Sequence, residues 1–303
     1  MTVSNPAMIQ AIKLHMKMNF RFLEQTVEEI RQAEQASLQH IQLLQGTKVK
    51  PDHLGGLYAE WVTVEEVPAV DDSVVMYVHG GSFITGSCET HRDLAARISQ
   101  ASGVPVLLFN YRLAPEHPYP AANEDCLAVY RALLDRGYSP DRIVIGGESI
   151  GGYLALTTLL TLRESREVLP AASFLLSPHT DFFAYDGESY QSRADVDGTG
   201  SIEVSRKCAQ YYFGTAQMNP SVLSPQRSDL KGLPPLLIQV GDQEVLLSDS
   251  LSLAERATEA GVSVELEVWE EMWHVFQLFA SMVEESGQAI RQIGRFVRRM
   301  MIS

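Results

Sequence analysis

Apolar residues recur at helical spacing through the first part of the chain. Met8, Ile12, Leu14, Met16, Phe20, Phe22, Leu23, Val27 and Ile30 lie between polar neighbours from about Pro6 to Gln45. This predicts helix with one or two apolar faces, and Gly46 ends it. From Leu57 the period shortens. Tyr58, Glu60, Val62, Val64 and Glu65 predict a strand, and Val74 to Val78 predict a second strand buried on both faces. Helix is then expected from Glu89 to Ser102, strand from Val104 to Phe109 and helix from Ala122 to Arg136. A strand ending near Glu148, a helix to about Arg163 and a strand from Ala172 to Leu176 follow. Residues 111–120 hold three prolines and read as a rigid loop. From Phe182 to Pro234 the alternation lapses, with one helix expected near Glu203 to Phe213, and so long a lapse reads as an insertion. Strand Leu236–Val240, helix Asp249–Ala260, strand Val262–Trp269 and helix Phe276–Met301 complete the pattern.

Strands separated by helices predict an α/β fold, a mainly parallel sheet with helices on both faces. Ligand sites in such sheets gather at the carboxyl ends of the strands. The strand from Ile143 runs into Gly147-Glu148-Ser149-Ile150-Gly151, a G-x-S-x-G turn between strand and helix. A serine at that apex is exposed beside a helix N-terminus, where backbone N–H groups meet any oxyanion that forms. Serine needs a base to take its proton and a third group to orient that base. His274 follows Ser149 at the end of a late strand and is the expected base. His179 comes before any candidate acid. The loop after Val240 offers both Asp242 and Glu244 as the acid, and position alone does not separate them. The expected oxyanion donors are the amides of Gly80, Gly81 and Ile150, with His79 holding the glycine loop by hydrogen bonding.

Several motifs together resemble the hormone-sensitive-lipase family of α/β hydrolases, in its bacterial carboxylesterase branch. His79-Gly80-Gly81-Ser82-Phe83 stands for the family's H-G-G-G-F/W, and Gly147 to Gly152 for G-D-S-A-G-G. Tyr111 to Pro120 is similar to Y-R-L-A-P-E-x-x-x-P, and Ser177 to Asp181 to S-P-W-x-D. The resemblance spans about Tyr58 to Phe296. It implies an α/β-hydrolase fold with residues 1–48 as a helical cap segment. Residues 49–303 would form the catalytic domain, with a cap insertion at about 182–226. It also addresses the acid. Anchoring Ala260-Gly261-Val262 and Met272 to Phe276 on the family pattern and counting back without gaps puts the acid on Glu244, two residues past Asp242. The implied activity is serine carboxylesterase action on short- to medium-chain esters, without metal or cofactor. Lactone or amide hydrolysis with the same residues is the alternative, and a non-catalytic ligand-binding protein is a further one. Phe20, Phe83, Phe182 and Tyr212 are the candidate substrate-pocket residues. Ile150, β-branched where the family has Ala, is expected to narrow the pocket. The resemblance further implies a homodimer through the edge strand Val262–Trp269.

Charge and cysteines narrow the partners. The formal charge is −14, from 38 acidic residues against 24 Lys and Arg. That argues against nucleic acid and anionic lipid, and the resemblance implies a small-molecule ester as the partner. Neither a basic-then-apolar leader pattern nor a long apolar span is seen, so no stable membrane association is expected. Cys88, Cys126 and Cys208 are odd in number and lack metal spacing, and read as reduced, buried thiols of a cytoplasmic chain.

Overall fold

The computed structural model describes residues 6–65, 72–214 and 219–301. Eight strands form one sheet in the order β1-β2-β4-β3-β5-β6-β7-β8. They are β1 (Thr47–Leu54), β2 (Leu57–Val64), β3 (Val74–Val78), β4 (Val106–Phe109), β5 (Ile143–Glu148), β6 (Ala172–Leu176), β7 (Leu236–Gly241) and β8 (Val264–Trp269). β2 runs antiparallel to both neighbours, and β3 through β8 are parallel.

Ten helices accompany the sheet among the described residues. α1 (Pro6–Asn19) and α2 (Val27–Ser37) come first. α3 (Cys88–Ser102), α4 (Ala121–Asp135) and α5 (Ile150–Glu164) lie between strands. α6 (Ser189–Ser192), α7 (Ile202–Phe213) and α8 (Pro220–Leu223) belong to the irregular stretch, and α9 (Leu247–Glu259) and α10 (Glu284–Met301) follow it.

Strand periodicity sorts the core into two layers. Val75, Tyr77, Leu108, Val144 and Phe174 pack against Leu94 and Ile98 of α3 and Ile293 and Phe296 of α10. Their alternates Met76, Leu107, Ile145, Leu175 and Ile238 pack against Val129 and Leu133 of α4, Leu154 of α5 and Leu253 of α9. Every residue of β3, β4, β5, β6 and β7 is buried. This explains the unbroken apolar runs of these segments, since both sheet faces are covered.

Three elements add to or differ from the sequence reading. The N-terminal helical pattern resolves into two helices. The chain breaks after Asn19 and restarts at Thr26, whose hydroxyl accepts from the Glu29 amide while Glu29 accepts from the Thr26 amide. This capping box is readable as T-x-x-E. Second, β1 was not expected. It is an edge strand carrying Lys48, Lys50, Pro51 and Asp52, with only Leu54 fully buried, so it has no apolar alternation to read. Third, the last helix begins at Glu284, and Phe276–Phe279 form a separate 3₁₀ turn.

The arm reaches across to the irregular stretch. Lys207 of α7 donates to the carbonyls of Phe22, Leu23 and Gln25, and Lys17 of α1 donates to that of Asp195. Among the described residues no helix is long and apolar enough to cross a membrane.

Candidate active site

β5 ends in a tight reversal. Ser149 has φ 54° and ψ −118°, a strained conformation for a residue with a Cβ. The turn is held on both sides. The Ser149 amide donates to the Leu176 carbonyl at 2.9 Å, and the Ser149 carbonyl accepts from the His179 amide at 3.2 Å. Only glycine fits next to it, because a Cβ on Gly151 would lie 2.0 Å from the Val78 carbonyl oxygen. The hydroxyl of Ser149 is thereby placed at the N-terminus of α5, just beyond the ends of β3 and β5.

His274 arrives from the loop after β8. Its Nε2 lies 3.0 Å from Ser149 Oγ, and its Nδ1 lies 2.8 Å from Glu244 Oε2. Glu244 is fully buried. Its second oxygen accepts from Ser177 Oγ at 2.7 Å and from the Gly241 amide at 2.8 Å. Ser177 Oγ in turn accepts from the Val275 amide at 3.1 Å, tying the histidine loop to the acid. Because Glu244 can only accept, Nδ1 carries the imidazole proton and Nε2 is free to accept from the serine. Burial pulls the His274 pKa down, but the hydrogen bond and charge of Glu244, aided by Asp197 and Glu148, outweigh it and leave the pKa raised above 6.5. Asp242 takes no part in this line, and its carboxylate accepts from the Gln243 amide group at 3.0 Å.

The loop after β3 is locked from below. Tyr111 donates to the His79 carbonyl at 2.9 Å and stacks on the His79 ring at 4.1 Å. His79 Nδ1 donates to the Gly80 carbonyl at 2.7 Å, and burial lowers its pKa to about 3, so the ring is neutral. Arg112 holds Asp125, and Arg31 of α2 holds Glu116 and the Ala114 carbonyl. Tyr111 and Ala114, whose amide donates to the Phe83 carbonyl at 2.9 Å, thus form a buttress under the glycine loop.

Gly80 departs from expectation. Its amide donates to the buried carboxylate of Glu148, which is paired on the same oxygen with His91 at 2.8 Å. A committed amide cannot serve an oxyanion. Among the described residues the amides of Gly81, Ser82 and Ile150 have no acceptor. Ser82 and Ile150 both border the space in front of Ser149. Ser82 adopts φ 55°, a left-handed conformation that a non-glycine residue enters at modest cost, so the third glycine of the motif is dispensable here.

Residues 75–278 match a family described by its alpha/beta hydrolase fold. An acetyl-hydrolase of Streptomyces hygroscopicus is 40% identical over 247 residues, 81% of each chain. An esterase of Acinetobacter venetianus is 36% identical over 251 residues, 82% of this chain and 81% of its own. A crystal structure of an esterase from the bacterial hormone-sensitive lipase family superposes with a TM-score of 0.92 at 38% identity, covering 99% of this chain and all of the other. The chain belongs to this family of α/β hydrolases.

The cavity before Ser149 encloses about 90 Å³. This hormone-sensitive-lipase family member builds it from several elements. Phe20 comes from the arm, Val204, Ser205 and Cys208 from α7, and Val245 and Leu246 from the acid loop. Asp197, Thr199 and Gly200 close another side, and His179 and Ile150 the floor. Asp197 fastens the walls to each other, accepting from the amides of Thr199, Gly200 and Val245. An adjoining cavity of about 210 Å³ shares Phe20, Asp197 and Val204.

Of the four expected pocket residues, only Phe20 lines this space. Phe83, Phe182 and Tyr212 are buried in an aromatic cluster with Tyr153 and Phe213, where Phe83 stacks on Tyr212 at 4.0 Å. They form the wall behind the pocket, because large rings gain most from full burial. The sequence reading gives Ser177, His91 and Asp197 no role in the site and considers His179 only as a base. Ser177 and His179 lie within the S-P-x-x-D motif, which could have pointed to them. The spacing of Val204, Ser205 and Cys208 marks one face of α7.

Proposed function

We propose that this carboxylic ester hydrolase works through an acyl-enzyme on Ser149. The observation that carries the reading is the hydrogen-bond line from Glu244 through His274 to Ser149. Ser149 Oγ attacks the ester carbonyl carbon while its proton passes to His274 Nε2. The negative oxygen is received by the amides of Gly81, Ser82 and Ile150. The carbon–oxygen bond to the alcohol then breaks, and His274 gives its proton to the leaving alcohol. Water attacks the acyl carbon, its proton again passing to Nε2. Release of the carboxylic acid returns the proton to Ser149. Glu244 keeps the imidazole in the accepting tautomer and stabilises imidazolium. The arm and the described residues of the 182–226 stretch serve as the cap, the arm reaching the cavity through Phe20 and the stretch through Asp197 and the Val204–Cys208 face of α7.

The size of the cavity favours short acyl groups. A sealed cavity of about 150 Å³ holds benzene, and the space here is about 90 Å³. On p-nitrophenyl esters from acetate to decanoate, kcat/KM is expected to peak between two and four carbons. It should fall by about tenfold or more at eight, since a longer chain must displace packed side chains. A maximum at eight carbons or beyond contradicts the assignment of this cavity to the acyl group.

The pH profile follows from the same geometry. His274 must be neutral to act as a base, so kcat/KM rises as the imidazole loses its proton. With its pKa raised by Glu244, the acid limb should have its midpoint above the ordinary histidine value of about 6.5. In Glu244→Gln the midpoint of the residual activity should move down. An unmoved limb means that another group titrates.

A further inference from the structure

His179 presents an unusual buried ring. The residue is 5% exposed, and its Nε2 is buried without a partner. Nδ1 also makes no hydrogen bond among the described residues and, unlike Nε2, is not sealed from solvent, so it is the atom that can meet a ligand in the cavity. Buried polar groups are ordinarily satisfied, so this ring is poorly explained as a packing residue. Its position is fixed nonetheless. The ring packs against Phe182 at a centroid distance of 3.9 Å, and its amide is bonded to the Ser149 carbonyl. Burial, with the charge of His274, lowers its pKa to about 3, so it is neutral and offers one N–H and one lone pair. Ser205, also buried, faces the same cavity and makes no side-chain hydrogen bond among the described residues.

We infer that His179, assisted by Ser205, recognises a hydroxyl on a short acyl group, so that esters of small hydroxy acids are the preferred substrates. A hydroxyl both donates and accepts, and therefore suits either tautomer of the ring. A plain alkyl chain would leave Nδ1 unpaired. The inference rests on the acyl-enzyme reading above, because it places the acyl group in the cavity before Ser149.

The test is a pH-stat comparison of ethyl butyrate with the enantiomers of ethyl 2-hydroxybutyrate and ethyl 3-hydroxybutyrate. Each kcat/KM is divided by the hydroxide-catalysed rate constant of that ester. The native protein should favour at least one hydroxy ester over ethyl butyrate by about three- to tenfold, the value of one added hydrogen bond. His179→Leu should bring that ratio near one, and His179→Gln should retain part of it. Absence of any preference in the native protein overturns the inference without recourse to variants. A preference that survives in His179→Leu also overturns it. Ser149→Ala separates the two readings. Loss of turnover on every ester in that variant leaves the serine reading intact whatever the ratio shows, whereas retained turnover overturns the serine reading itself.

Discussion

Ser149→Ala should lower kcat on p-nitrophenyl acetate by about 10⁵- to 10⁶-fold with the fold intact. The size of the loss reflects what remains. Without Oγ there is no atom for the acyl group to bond, and His274 has nothing to deprotonate except water. The amides of Gly81, Ser82 and Ile150 would still polarise a bound carbonyl. Such residual stabilisation is worth about 10³–10⁴ over water in comparable sites. The substitution also removes a hydroxyl from a residue at φ 54°, a conformation set by the backbone bonds to Leu176 and His179. Alanine keeps those bonds, so thermal unfolding should change little. A kcat within tenfold of the native value would rule out Ser149 as nucleophile.

Glu244→Gln should cost about 10⁴-fold in kcat, while Asp242→Asn should stay within a few-fold. The contrast comes from hydrogen-bond polarity. One Glu244 oxygen accepts from Ser177 and Gly241, and the other from His274. A glutamine keeps its oxygen toward the two former donors, because its NH₂ cannot accept from them. The NH₂ then faces Nδ1 and donates to it. That forces the proton onto Nε2, the atom that must accept from Ser149. Among the described residues Asp242 has only the side-chain amide of Gln243 on its carboxylate, so its replacement leaves the imidazole untouched. Circular dichroism and kinetics of the two variants side by side check this. A larger loss for Asp242→Asn would reassign the acid.

Legibility in the sequence followed burial. Strands β3 to β7 are covered on both faces and announce themselves as apolar runs. β1 lies at the sheet edge with charges and a proline, and only its pairing with β2 makes it a strand. The helical arm was readable as helix, but its break between Asn19 and Thr26 was hidden by a continuous apolar stripe. At the site, local motifs located Ser149 and the glycine loop, and chain order located His274. Which of two neighbouring acids meets the histidine is a tertiary matter, and residue counting against a family pattern reached it. Gly80 shows the limit of such reasoning. Its place in the motif suggested an oxyanion donor, yet its amide is taken by Glu148, a residue 68 positions away. The aromatic residues failed for a related reason. Phe83, Phe182 and Tyr212 carry the right chemistry for a pocket, but composition does not distinguish a lining ring from one packed behind it. The polar lining from His179, Asp197 and Ser205 is set by how the insertion folds back on the sheet.

The most direct test of the central claim is covalent trapping. The protein is mixed with p-nitrophenyl acetate, quenched in acid within the first turnover and mapped by peptide mass spectrometry. One acetyl group on the peptide containing Ser149, present in the quenched sample and absent from Ser149→Ala, is the predicted result. Glu244→Gln should form the same adduct more slowly. An acetyl group stably bound to another side chain, with Ser149 unmodified throughout turnover, would contradict the account.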